Sequence, residues 1–69
     1  MTLEEFADSL RMVRVGKYAS LPYALYEDLF PPGEPDEGAR ARSYAFAQRH
    51  GFRIENKPDL KQVWFIKNA

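Results

Sequence analysis

The chain has 69 residues, 45% of them hydrophobic and 14% aromatic, so it holds one small domain (residues 1–69) with material for a core. It has no cysteine and one histidine. That excludes disulfide staples, thiolate metal sites and cysteine nucleophiles, and a histidine-based zinc site would need carboxylate partners. Ten basic and ten acidic residues cancel, and no run of about 20 apolar residues exists to span a membrane.

The start, Met1-Thr2-Leu3-Glu4-Glu5, is acidic and lacks the basic, apolar, small-residue order of a secretory signal, so a cytoplasmic location is expected. Thr2 and Glu5 have the spacing of a capping box, in which the hydroxyl and the carboxylate each accept a backbone N–H. Leu3, Phe6, Ala7, Leu10 and Val13 then fall on one helical face, which predicts a first helix over about 3–13 with Gly16 as its stop. Residues 15–19 read either as a short strand or as a loop. Ser20-Leu21-Pro22 reads as the start of a second helix over about 21–30, because proline is tolerated in a first turn. Pro31-Pro32 forbids its continuation, and Pro31 to Pro35 form a stiff, acidic connector.

Asp36 is placed to cap a third helix over about 37–50, with Glu37 in its first turn and Gly51 as its stop. At about 100° per residue, Ala39, Ser43, Phe46, Ala47 and His50 gather on one side and read as core. Ala41, Arg42, Ala45, Gln48 and Arg49 gather opposite and read as exposed, with Arg40 and Tyr44 at the border. After Gly51 the period changes to two. Phe52–Glu55 and the β-prone Val63–Ile66 flank a turn signal at Asn56-Lys57-Pro58-Asp59, which predicts a hairpin over about 52–67. Trp64 and Phe65 then point to opposite faces, so only one of them is fully in the core. The expected class is α+β, three helices followed by a C-terminal β-hairpin. The cap near the start and the strand running almost to the end predict a self-contained unit.

Zero net charge hides an asymmetry. Residues 1–37 hold eight acids and three bases, a net of −5, and residues 38–69 hold seven bases and two acids, a net of +5. Two readings stay open: the halves attract each other within the fold, or the basic half serves an anionic partner.

The exposed side of the third helix has the chemistry of a base reader. Arginine bonds guanine and glutamine bonds adenine in bidentate fashion, and Ala41 and Ala45 allow close approach. Arg42, Gln48 and Arg49 are the candidate base contacts. Arg40, Tyr44, Arg53, Lys57 and Lys61 are candidate phosphate contacts. Each is also an ordinary solvated surface residue, and the cluster weighs more than any member. Catalysis is not expected. No Gly-rich phosphate loop, His-x-x-x-His pair or Ser–His–Asp order is present, and the neighbouring acids Glu27-Asp28 and Asp36-Glu37 do not face one another on a helix. No cofactor or metal is expected. His50, next to the helix-ending Gly51, reads as a partner of the helix C-terminus rather than a ligand.

The order helix, short strand or loop, helix, helix, hairpin, over nearly the whole chain, resembles the winged helix-turn-helix family. That resemblance implies a third helix in the major groove of double-stranded DNA and a hairpin wing on the backbone. It also implies a regulatory role, as a repressor, excision factor or mobile-element accessory, with dimers or tandem sites making up for a small module's weak grip. Two other readings compete: a protein–protein interaction module or subunit of a larger assembly, homodimers included, suggested by the many tyrosines and the small core; and a fragment without activity of its own.

Overall fold

The computed structural model describes residues 1–31 and 37–68. The first helix, α1 (Leu3–Leu10), begins as the capping box requires: the Thr2 hydroxyl accepts the Glu5 N–H at 3.1 Å, and the Glu5 carboxylate accepts the Thr2 N–H at 3.0 Å. Phe6 and Leu10, one turn apart, are its buried residues. The helix ends three residues earlier than its apolar period suggests. The N–H groups of Arg11, Met12 and Val13 reach back three residues instead of four, tightening the chain into a turn. Val13 still packs against the core. Gly16 is not the stop of this helix. It occupies the left-handed position (φ 81°) of a turn closed by Lys17 N–H to Arg14 C=O at 2.9 Å, which turns the chain into a strand.

That strand, β1 (Tyr18–Pro22), corrects the expected helix start at Leu21. Leu21 is buried and pairs with Val63, and Pro22 pairs with Gln62 in extended conformation before α2 begins at Tyr23. A proline suits an edge strand as well as a first helical turn, so the residue alone did not decide between them. α2 (Tyr23–Leu29) stops where Pro31 forces its predecessor out of helical geometry, with Phe30 at φ −128° and ψ 73°. The connector beyond Pro31, the proposed Asp36 cap and the Ala39 side chain lie outside the described residues. α3 (Glu37–Arg49) ends at Gly51, whose φ of 80° an L side chain rarely adopts.

β2 (Phe52–Lys57) and β3 (Gln62–Lys67) form the expected hairpin, but its turn lies later than the signal at Asn56–Asp59. Asn56 and Lys57 stay paired in β2, and a 3₁₀ turn at Pro58–Leu60 is closed by Lys61 in the left-handed region at φ 53°. β1 adds antiparallel to the other side of β3, giving a three-stranded sheet in the order β1-β3-β2. The chain is thus α+β with the order helix, strand, helix, helix, hairpin, rather than three helices and then a hairpin. No helix among the described residues is long and apolar enough to cross a membrane.

One face of the sheet carries Leu21, Val63, Phe65, Ile54 and Phe52 against the helices. Phe65 is fully buried at its centre. The Phe6 ring meets Phe65 edge-on at 4.9 Å, and Phe46 reaches it at 6.4 Å. Phe6 and Phe30 close on Phe46 at 5.9 and 5.7 Å. Ser43, the one buried polar residue among those described, has its hydroxyl bonded to the Arg40 carbonyl and to the Tyr26 hydroxyl, each at 2.9 Å.

Two predictions follow from this packing. Truncating Phe65 to alanine costs roughly 3–5 kcal/mol, comparable to the whole net stability of so small a domain, and is expected to leave the chain unfolded by circular dichroism at 25 °C. The second concerns acid. The Glu5 carboxyl is held below its ordinary range by the backbone N–H and hydroxyl of Thr2 and by the nearby N-terminal ammonium. A depressed folded-state pKa contributes stability above the ordinary carboxylate range, and that contribution disappears as pH falls through the folded-state value. The Tm gap between the native chain and Glu5→Gln is therefore expected to shrink on acidification, as thermal melts at neutral and low pH would show.

Candidate nucleic-acid interface

α3 divides its surface as the helical wheel requires. Ser43 and Ala47 are buried, Phe46 and His50 half-buried, and Ala41, Arg42, Ala45, Gln48 and Arg49 exposed. The buried side rests on β2 and on the phenylalanine cluster, so the opposite ridge points to solvent on a rigid support. Small Ala41 and Ala45 leave its middle low, with Gln48 and Arg49 standing at the C-terminal end. The half-buried His50 ring packs 4.6 Å from Phe46.

The four cationic or aromatic candidates on α3 separate to two sides of this ridge. Arg42 and Arg49 flank a shallow cleft of about 270 Å³ shared with Leu3 of α1, Leu29 and Phe30. Arg42 is engaged there: its Nη2 donates to the Pro31 carbonyl at 2.7 Å, tying α3 to the end of α2. Arg49 has no such partner among the described residues. Arg40 and Tyr44 face the other way, into a cleft of about 350 Å³ between α2, α3 and the hairpin, with Tyr23, Tyr26 and Asn56 in its walls. The Tyr23 hydroxyl donates to the Asn56 side-chain carbonyl across it. No positional signal in the sequence marks Tyr23, Tyr26 or Asn56 beyond the abundance of tyrosine, because what unites them is the fold of α2 back onto the hairpin.

None of the three hairpin candidates joins those on α3. Arg53 and Lys57 alternate with the helix-facing residues of β2, so they lie on the outer face of the sheet, away from α3. There Glu55 sits between them, 3.8 Å from Arg53 and 3.2 Å from Lys57. Arg53 also donates to the Asn68 side chain at 3.3 Å. Lys57 lies 4.8 Å above the Trp64 ring, which stacks on Tyr18 at 4.0 Å and donates its Nε1–H to Gln62 at 3.0 Å. This half-exposed outer side is where Trp64 belongs, and Phe65 takes the core position. Lys61, exposed at the tip of the hairpin, is separate from both groups and holds a left-handed backbone where glycine or asparagine is less strained.

No family model, curated protein or solved structure matches this chain.

The two α3 arginines are distinguishable by stability alone. Arg42→Ala removes a bond made by a charged donor and is expected to cost about 1 kcal/mol, lowering Tm by several degrees. Arg49→Ala is expected to stay within about 0.5 kcal/mol of the native chain in the same denaturation experiment.

Proposed function

We infer that this chain is a small winged-helix DNA-binding protein that presents α3 to the major groove and the tip of its hairpin to the backbone, in a regulatory or mobile-element accessory role. The observation that carries this reading is the exposed ridge of α3, low at Ala41 and Ala45 and ending in Gln48 and Arg49, held on a buried opposite side. Such a ridge lets a helix approach base edges closely while glutamine and arginine supply bidentate hydrogen bonds. The element order with β3 between β1 and β2 is compatible with winged-helix topology.

Placement in the fold supports distinct roles within this proposed interface. Gln48 and Arg49 are the base contacts. Arg42, already holding Pro31, positions α3 and contacts DNA with its remaining donors. Arg40 and Tyr44, on the hairpin side of the ridge, and Lys61 at the tip take phosphates. The strained backbone of Lys61 supports that assignment, since a turn selected for stability alone would favour glycine there. Arg53 and Lys57 contribute field rather than contact, because they lie on the outer sheet face with Glu55 between them.

A specific observation favours the second reading, a protein-interaction module. The Tyr18–Trp64 stack is open to solvent on the outer sheet face, with Tyr18 half exposed, and it is the kind of aromatic surface that interfaces use.

The two readings separate in one titration. Fluorescence anisotropy with random duplex DNA at two salt concentrations is expected to show binding that weakens steeply with salt, as released counterions require. Arg49→Ala is expected to weaken binding without changing Tm. Absence of binding at low salt by a protein shown to be folded removes the DNA reading and leaves the interaction module.

A further inference from the structure

The two edges of the sheet are not equivalent. Backbone bonding alternates along β3: the Lys67 N–H donates to Lys17 of the β1 side at 2.9 Å, and the Asn68 N–H donates to Gly51 of the β2 side at 3.0 Å. Continued along the register, this phase turns the N–H and C=O groups of Arg53, Glu55 and Lys57 toward β3. Those of Phe52, Ile54 and Asn56 turn outward, to the free edge of β2. No described residue bonds to these six outward groups. On the opposite edge the outward positions are Tyr18, Ser20 and Pro22, and Pro22 has no N–H to offer. The β1 edge is therefore blunted by proline, and among the described residues the β2 edge is open.

Charged side chains on an edge strand usually repel a second copy. On β2 their order is instead self-complementary. Antiparallel pairing of β2 with itself, centred on Ile54, brings the outward groups of Phe52, Ile54 and Asn56 opposite those of the partner's Asn56, Ile54 and Phe52, closing six backbone hydrogen bonds. The same register sets Arg53 opposite the partner's Glu55, and Glu55 opposite the partner's Arg53, at the closely spaced positions where Cα atoms lie about 4.5 Å apart. Lys57 falls opposite the partner's Gly51, which has no side chain to oppose it. Ile54, only partly buried in one chain, meets its own copy on the helix side. Backbone phase and charge order select the same register independently.

We propose that this chain forms a two-fold dimer through the β2 edge, joining two three-stranded sheets into one of six strands. Both helical layers lie on the same side of that sheet, so the dimer presents two α3 ridges on one face. The proposal rests on the sheet edge and stands whether or not the protein binds DNA.

Charge reversal tests it. By sedimentation equilibrium, the native chain is expected to show a reversible monomer–dimer equilibrium. Arg53→Glu and Glu55→Arg each place like charges opposite one another twice, and each is expected to raise the dimer dissociation constant about tenfold or more. The doubly swapped Arg53→Glu/Glu55→Arg chain restores both pairs and is expected to return to native-like association. An equimolar mixture of the two single variants is expected to form heterodimers in preference to either homodimer. Melting curves on each variant verify that the monomer is folded, and the swapped chain keeps the test valid if a single reversal is not. No self-association of the native chain up to about 1 mM, or a dimer indifferent to the reversals and the swap, overturns the proposal.

Discussion

The packing of Phe65 against the helices is the constraint on which the rest of this structure depends. A domain of this length cannot bury much surface, and it has no disulfide or thiolate metal site to add stability. It concentrates its apolar material instead. Phe6 from α1, Phe30 from the end of α2, Phe46 from α3 and Phe65 from β3 meet ring to ring, so one cluster joins all three helices to the central strand. Edge-on and stacked contacts between rings add geometric preference to the loss of apolar surface, and that preference fixes how the helices lie on the sheet.

The orientation of α3 is a consequence of that cluster. With Phe46, Ser43 and Ala47 turned inward, the ridge from Ala41 to Arg49 has to face solvent. The Ser43 hydroxyl, bonded within α3 to Arg40 and across to Tyr26, and the Arg42 guanidinium, bonded to Pro31, hold α3 on α2 from two sides. Rigid presentation of a helix is what the proposed base-reading role needs, and the same few residues that stabilise the fold hold α3 in place. The cost of that economy is that Arg42 is partly committed to structure.

The sheet adds a second level of organisation. β3 is paired on both sides, so the two remaining edges decide how the molecule can grow. A proline at an outward position closes one of them. The other carries an arginine and a glutamate two residues apart, an order that becomes self-complementary only when the strand is antiparallel to itself. The basic second half of the chain is likewise divided by the fold. Some of its cations lie along α3 and at the hairpin tip, while Arg53 and Lys57 are turned to the far side of the sheet beside Glu55.

The sequence by itself determined the elements whose signals are local. The Thr2–Glu5 cap, the buried and exposed sides of α3, the stop at Gly51 and the two-residue period of the hairpin all depend on neighbours within a few positions, and each is found where those neighbours place it. Opposite faces for Trp64 and Phe65 follow from the same alternation. Only the tertiary structure decided the questions that depend on distant partners. Residues 18–22 are a strand because the free edge of β3 is there to bond them, which no local preference of Leu21 or Pro22 specifies. The first helix tightens after Leu10 as the chain turns toward that strand. Arg42 and Arg40, two positions apart in the chain, acquire different surroundings because α1 and the C-terminal end of α2 lie on one side of α3, and the start of α2 and the hairpin on the other. Which charges share a surface, and which strand edge stays open, are properties of the assembled sheet, because hydrogen-bond phase and facing residues exist only once the strands have paired.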